Sequence, residues 1–409
     1  MVSWLPENDQ LPFNMGSHLD IKPIEYIFDP APLDTDYTSK RYFTFLEDAK
    51  SGKIRGLEES HCFDPRDMGL PWPTTFPATV QSKHWRSAEE AAKEFLGAIR
   101  SVSASKEPQS TTSDYRKRLL KRDSLLIDAA AATAVNFFPA ANAVRARLLA
   151  QAALLVFLHD DDADSEGYGL ESNILKEALE ELQSFPDDPK NFQGPWKNPV
   201  FQDWVDQCVQ ENFGAGLQIV QGTLLWANHT LDNPPKKRVQ FVSWKNYIDY
   251  RLNDFLHVGI SGMLQFSCGI YVPESERAPL EAMYRLYMMH CSLTNDLYSY
   301  EKERMEAKEE DLPIVNGVEV LGDILYISSD TAKRDLRQLI LELERQLHHV
   351  YIAHTRSGEL NDRQLRYARA MIEGLAGSLF FSSTLARYAC VIPGSHLPNE
   401  RSYQNGTTI

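Results

Sequence analysis

Asn295, Ser299 and Glu303 stand at i, i+4 and i+8 of the run Asn295-Asp296-Leu297-Tyr298-Ser299-Tyr300-Glu301-Lys302-Glu303. On an α-helix this spacing puts all three on one face, within an arc of about 80° and along roughly 12 Å of axis. An amide oxygen, a hydroxyl and a carboxylate so aligned make a hard-metal site of low charge, suited to Mg²⁺. Lys302, seven residues past Asn295, shares the face and can meet a phosphate as a point charge. The bland reading is an exposed polar helix face. From average residue usage, however, this set at this spacing arises by chance in roughly a few chains per thousand.

A second acidic group closes an apolar helical run, in Phe157-Leu158-His159-Asp160-Asp161-Asp162-Ala163-Asp164-Ser165-Glu166. Asp160 and Asp164 are four apart and share a face, while Asp161 sits about 100° away. Carboxylates oppose the dipole at a helix C-terminus, so the cluster calls for a compensating cation, and oxygen-ligated Mg²⁺ is the natural one. Seen alone, such a run is more often a solvated acidic loop. The triple Asp160-Asp161-Asp162 leaves its register open, although only a start at Asp160 gives both a second Asp and an acid at the fifth position.

The elements that must hold these residues are helices. Apolar residues recur at helical spacing through 88–99, 119–136, 140–159, 201–231, 244–269, 275–307, 318–354 and 360–390. Asp232-Asn233-Pro234-Pro235 is a strong stop, and 186–199, Pro273 and Pro313 mark loops. No alternating β-branched run suggests a sheet, and no fixed-period repeat is present. Nine of the 22 prolines fall before residue 78, which rules out long helices there. That segment reads as an extended arm wrapped onto the rest, with a short helix around 42–50, and Trp4, Phe13, Tyr26, Phe28 and Trp72 argue against pure disorder.

A chain of 409 residues with 43% apolar side chains buries a large core, and its charge of −15 argues against a nucleic-acid partner. Divalent metal can still bridge acidic side chains to an anionic substrate. Cys62, Cys208, Cys268, Cys291 and Cys390 form no CxxC pair and read as free thiols in a reducing compartment. The first eighteen residues lack a signal pattern, and the most apolar stretch, 148–158, is too short to span a bilayer. The expectation is a soluble cytoplasmic protein, monomer or homodimer. Its parts are an arm over 1–80, a helical domain over 81–395 and a flexible tail over 396–409.

Over roughly residues 120 to 392 the sequence resembles the class I terpene synthases. Asp160-Asp161-x-x-Asp164 is similar to the family's aspartate-rich motif, and Asn295 to Glu303 matches its Asn/Ser/Glu motif. Val272-Pro273-Glu274-Ser275-Glu276 and Leu293 to Glu303 resemble fungal-type cyclases, above all the cyclase domains of bifunctional di- and sesterterpene synthases. The family carries a diphosphate-sensing arginine some 45 positions before the second motif, with an acidic or amide linker three residues on. Arg251 and Asp254, in Tyr247-Ile248-Asp249-Tyr250-Arg251-Leu252-Asn253-Asp254, fit it. A terminal Arg-Tyr pair is matched by Arg387-Tyr388; many relatives have Trp where Phe381 stands.

The resemblance implies an all-α class I terpenoid synthase bundle that ionises a prenyl diphosphate and cyclises the cation. It implies three Mg²⁺ ions held by Asp160, Asp161 and Asp164 on one side and by Asn295, Ser299 and Glu303 on the other. Arg251, Lys302, Arg387 and Tyr388 would bind the diphosphate. Phe157, Trp226, Tyr298 and Phe381 are candidate walls of the apolar pocket, and each is also ordinary helix core. Chain-elongating prenyltransferases need two facing aspartate-rich motifs, and the only other Asp-Asp pair, Asp187-Asp188, lies between prolines. His159-Asp160 could seed a helical metal phosphohydrolase, but the other histidines show no matching arrangement. A non-enzymatic scaffold would show repeats or an exposed amphipathic seam. The chain ends at Ile409 without a fused prenyltransferase. Farnesyl diphosphate is therefore expected ahead of geranylgeranyl diphosphate.

Overall fold

The computed structural model describes residues 19–33, 40–52, 54–104, 113–164, 173–183, 191–233 and 240–397. Trp4, Phe13, Asp187, Asp188 and the side chains of Asp162 and Asp164 lie outside the described residues.

The bundle is helical. After α1 (Phe45–Ala49) come a hairpin, β1 (Ser60–Phe63) and β2 (Thr79–Ser82), then α2 (Trp85–Ala104), α3 (Ser113–Asn136), α4 (Ala143–Asp164) and α5 (Asn173–Gln183). The series continues with α6 (Pro199–Glu211), α7 (Phe213–Asp232), α8 (Trp244–Asp254), α9 (His257–Ser267), α10 (Glu274–Arg277) and α11 (Glu281–Glu310). It closes with α12 (Gly317–Leu325), α13 (Ser329–Ser357), α14 (Asp362–Thr384) and α15 (Ala386–Ala389). One core of buried apolar side chains runs from Ile21 to Leu397.

Five of the continuous helical runs expected from periodicity are each two helices, among them 275–307, where α10 gives way to α11. Asn212 divides 201–231, because its side chain accepts from the Ala215 N–H and caps α7. Leu256, at φ 54°, breaks 244–269 between α8 and α9. Tyr326, at φ 56°, ends α12, and Ser328 caps α13, so 318–354 is interrupted. Leu385, in extended conformation, separates α14 from α15. Apolar spacing continues straight through such points, because a cap or a single left-handed residue changes backbone direction without changing the buried pattern.

The second difference is the hairpin, where no sheet was expected. Its strands have four residues each, too few for alternation to register, and all of β2 is buried. Thr79 Oγ1 donates to the Ala376 carbonyl of α14 at 3.1 Å. Nearby, the buried Glu344 carboxylate accepts from Thr74 Oγ1 at 2.6 Å and from the Thr75 N–H at 2.7 Å, pinning the proline-rich segment to α13. All five cysteines are free thiols. Among the described residues no helix is long and apolar enough to cross a membrane.

Helices α7 and α9 approach closely through glycine. A Cβ at Gly222 would lie 2.2 Å from the Gly259 nitrogen and 2.4 Å from its Cα. Backbone cannot swing aside as a side chain can, so Gly222→Ala must push α9 away from α7. Overpacking of this kind costs about 1–3 kcal/mol. A Gly222→Ala protein is expected to melt several degrees below the parent, and equal melting temperatures would show that the helices slide freely.

Candidate active site

The two motif helices are joined through α15, whose Tyr388 bonds Asn295 of α11 and whose Arg387 bonds Asp161 of α4. Helix α11 carries Asn295, Ser299 and Glu303 on a single face, and α8 lies across it. Arg251, near the end of α8, is buried and reaches three acceptors. Its Nε donates to Asp296 Oδ1 at 2.9 Å, its Nη1 to Asp254 Oδ2 at 2.7 Å and its Nη2 to Asn295 Oδ1 at 2.6 Å. A guanidinium has five N–H groups, and since Nη2 also lies 2.9 Å from Asp296 Oδ1, the unspent one is on Nη1. The ring of Phe255, at the helix break, lies beneath the cation at 5.3 Å. Trp226 Nε1 donates to the Asp254 carbonyl at 2.8 Å and secures the end of α8.

Asp296 is the buried hub of this arrangement. It takes the Arg251 bond, a hydrogen bond from the Tyr247 hydroxyl and the Gly317 N–H at 3.2 Å. Burial pushes its carboxyl up to about 6, against the pull of Arg251 and Tyr247 and with a further push from Glu303. Asn316 Nδ2 donates to the Asp296 carbonyl at 2.8 Å and to Glu303 Oε2 at 2.9 Å, so it orients the third motif residue from outside the motif. Ser299 Oγ donates back to the Asn295 carbonyl at 2.8 Å, which leaves the oxygen's lone pairs available.

The opposite wall comes from α4 and α15. Arg387 Nη1 donates to Asp161 Oδ2 at 3.3 Å, and Nη2 closes a second bond to Oδ1. Arg122 of α3 approaches the same carboxylate at 3.5 Å. Burial alone would raise the Asp161 carboxyl, but the charge and hydrogen bonds of Arg387 outweigh it and hold it below the ordinary range. Asp160 is the reverse case. Solvent reaches it, yet protein crowds round it. That desolvation, with Asp161 adding to it and Arg387 opposing, raises its carboxyl. The two walls meet where Asn295 Nδ2 donates to the Tyr388 hydroxyl at 2.6 Å.

The sequence-derived residues therefore gather on two facing walls, with particular differences in detail. Asp161 is paired with Arg387, whereas Asp160 is open to solvent. Lys302 pairs with Glu306 one turn along. His159 is buried in the core, its Nε2 at 2.8 Å from Thr230 Oγ1 and its ring 5.2 Å from that of Trp226. Desolvation pulls its pKa down to about 4, and its Nε2 is engaged with Thr230 in the core. Among the described residues no group of three His, Cys, Asp or Glu could hold a metal ion. The α11 set escapes that pattern because two of its three donors are Asn and Ser.

Of the candidate walls, Phe157 lies under Arg387 at 5.6 Å, and Phe381 packs edge-on against Phe137 at 5.2 Å and Tyr388 at 6.3 Å. Tyr298 does not join them; its ring meets Phe28 of the arm and its hydroxyl meets Arg337. Four contributors were not singled out from sequence: Tyr247, Asp296, Asn316 and Arg122. Asp296 sits inside the motif but off its metal face, so face periodicity passes over it. Tyr247, Asn316 and Arg122 lie on other elements, and only the fold brings them near.

Residues 151–346 match the family model described as terpene synthase family 2, C-terminal metal binding. The terpene cyclase aneC of Aspergillus aculeatus is 29% identical over 350 residues, which cover 85% of this chain and 77% of that protein. Terpene cyclase 6 of Gibberella fujikuroi is 26% identical over 378 residues, covering 91% and 96%. The family model and these relatives support a class I terpene synthase. The fold of the chain is also that of aristolochene synthase from Penicillium roqueforti, with a TM-score of 0.53 at 16% identity over 72% of this chain and 94% of that one. These relatives are named terpene cyclases, which are lyases, and the matched region is of a metal-binding type.

Proposed function

We propose that this chain is a Mg²⁺-dependent cyclase that ionises farnesyl diphosphate and closes the allylic cation into a cyclic sesquiterpene. The observation that supports it best is the junction of the two walls. There Arg251, Asn295 and Tyr388 form one hydrogen-bonded chain facing the Arg387–Asp161 pair.

The oxygen donors fit a hard divalent cation. Asn295 Oδ1 and Ser299 Oγ keep lone pairs beyond the bonds they make, Glu303 keeps Oε1 free of the Asn316 bond, and Asp160 faces solvent. We assign three Mg²⁺ ions to Asp160, Asp161 and Asp164 on α4 and to Asn295, Ser299 and Glu303 on α11. When bound, they neutralise the diphosphate as charge develops on it. The protein's own share is orientation and charge. Arg251 offers the N–H left on Nη1, and Arg387 lies across from it. The Tyr388 oxygen accepts from Asn295, so its own hydrogen is free to donate to a diphosphate oxygen. Burial raises the Tyr388 hydroxyl, against the pull of Arg387, and keeps it a donor. Lys302 adds a point charge at the rim, and Asp254 holds Arg251 in place. Phe157 and Phe381 present π-faces to a cation where no nucleophile should stand.

The test is incubation of the pure protein with C10, C15, C20 and C25 prenyl diphosphates and Mg²⁺. Gas chromatography should show a cyclic C15 hydrocarbon or alcohol that disappears on chelation and returns with the metal. Linear alcohol alone would indicate a hydrolase, and unreleased diphosphate a scaffold. The ratio of kcat/KM for C15 over C20 decides chain length, because a pocket separates only what it binds differently in the transition state. Geranylgeranyl diphosphate is the second reading, favoured by the resemblance to di- and sesterterpene cyclase domains. A tenfold preference for C20 would overturn the choice of farnesyl diphosphate and leave the reaction class standing.

A further inference from the structure

The N-terminal arm grips the element that carries Arg387 and Tyr388 from several directions. The Phe28 N–H donates to the Ser383 carbonyl, four residues before Arg387, at 3.2 Å. The Ile27 N–H donates to the Ser395 carbonyl and the Leu397 N–H to the Glu25 carbonyl, both at 2.9 Å. Ser395 Oγ in turn donates to the Ala389 carbonyl at the end of α15, at 2.7 Å. The same stretch of arm also holds the metal-motif helix. The Phe28 ring meets Tyr298 of α11 edge-on at 5.3 Å. Arg337 of α13 joins them, its Nη2 donating to Asp29 Oδ1 at 2.7 Å and to the Tyr298 hydroxyl at 3.1 Å.

Arg337 is costly. Its side chain is fully buried, and among the described residues its Nε and Nη1 have no hydrogen-bond partner. A buried guanidinium satisfied on one nitrogen contributes little net stability, and an apolar residue of similar size would serve a core as well. What it does is tie three elements to one point: the arm through Asp29, α13 through its own backbone and α11 through Tyr298. Tyr298 is next to Ser299 and three residues from Asn295, whose side chain bonds Tyr388 across the site.

We infer that Phe28 and Asp29, held by Arg337, are positioning residues that set α15 against α11 and so fix the Tyr388–Asn295 contact on which diphosphate binding depends. The inference rests on the proposed function for its ligand, although the contacts stand without it. These arm contacts reach the assigned metal and diphosphate groups through Tyr298 and the α14–α15 junction.

The test avoids leaving a buried charge alone. The Asp29→Leu/Arg337→Met double variant removes both partners at similar volume, and Phe28→Leu keeps an apolar side chain without the ring edge. Both are assayed beside wild type for helical content, for Mg²⁺-dependent binding of inorganic diphosphate by calorimetry, and for turnover. Outer groups that orient a metal or anion site typically change affinity about 10–100-fold. The expected result is native helical content, roughly tenfold weaker diphosphate binding and a matching fall in kcat, with Phe28→Tyr restoring both. Wild-type binding with unchanged binding in both variants overturns this inference alone. A wild type that binds no diphosphate with Mg²⁺ overturns the functional reading and this inference with it.

Discussion

Turnover of prenyl diphosphate by an Asn295→Ala protein is expected to fall by at least ~10²-fold while its helical content is unchanged, because removing one preorganised group at a developing charge has effects of that size. The expectation is strong because Asn295 is shared. Its Oδ1 accepts from Arg251 and its Nδ2 donates to Tyr388, so one truncation disconnects α8 from α15 and deletes a metal oxygen together. Fold should survive, since Asn295 is only partly buried and its loss leaves no charge stranded. Asp160→Ala and Ser299→Ala are expected to behave alike, the first at the solvent-facing carboxylate and the second at the middle of the α11 set. Asn295→Asp keeps the acceptor oxygen and loses the donor, so it should recover part of the rate. The measurement is turnover against Mg²⁺ concentration, in which ligand loss raises the metal needed for half-maximal rate. Near-full activity of both Asp160→Ala and Ser299→Ala at limiting Mg²⁺ would remove these residues from the site.

Arg251→Lys is expected to lose activity to a comparable degree although the charge is kept. The guanidinium reaches Asp254, Asp296 and Asn295 from three different nitrogens, a planar fork that one ammonium cannot reproduce. Asp296 makes the case sharper. Its carboxylate has no exposure, and burial already raises its pKa, so weakening the Arg251 bond drives it toward the neutral acid. A protonated Asp296 no longer anchors Tyr247, Gly317 and the substituted side chain as an anion, and the α8–α11 junction loosens. Inorganic diphosphate with Mg²⁺ should raise the melting temperature of the wild type by mass action, and of Arg251→Lys by less. Equal shifts in the two proteins would mean that Arg251 organises the site without touching diphosphate.

Much of this arrangement is legible along the chain because it lies within single helices. Asn295, Ser299 and Glu303 share a face by the arithmetic of 3.6 residues per turn, and no fold is needed to see it. Asp160 at the end of an apolar helix is unfavourable on local grounds, and that conflict is itself the signal. Arg251 and Arg387-Tyr388 are less transparent. As isolated residues they resemble ordinary surface groups, and only the family resemblance marks them. Helix ends were misjudged where a cap or a left-handed residue turns the backbone inside a continuous apolar pattern, as at Asn212, Leu256 and Tyr326.

By itself, then, the sequence determined a helical bundle, a face of three oxygen donors on one helix and an acidic end on another, since helical periodicity and side-chain chemistry are local properties. Only the tertiary structure decided which of these groups meet. It paired Asp161 with Arg387 and left Asp160 open, buried Asp296 under Arg251 and Tyr247, took His159 into the core, and sent Tyr298 to the arm. Each outcome joins residues far apart in the chain. Which carboxylate keeps a cation and which gives it up depends on burial and on competing partners, quantities that no spacing along the chain encodes.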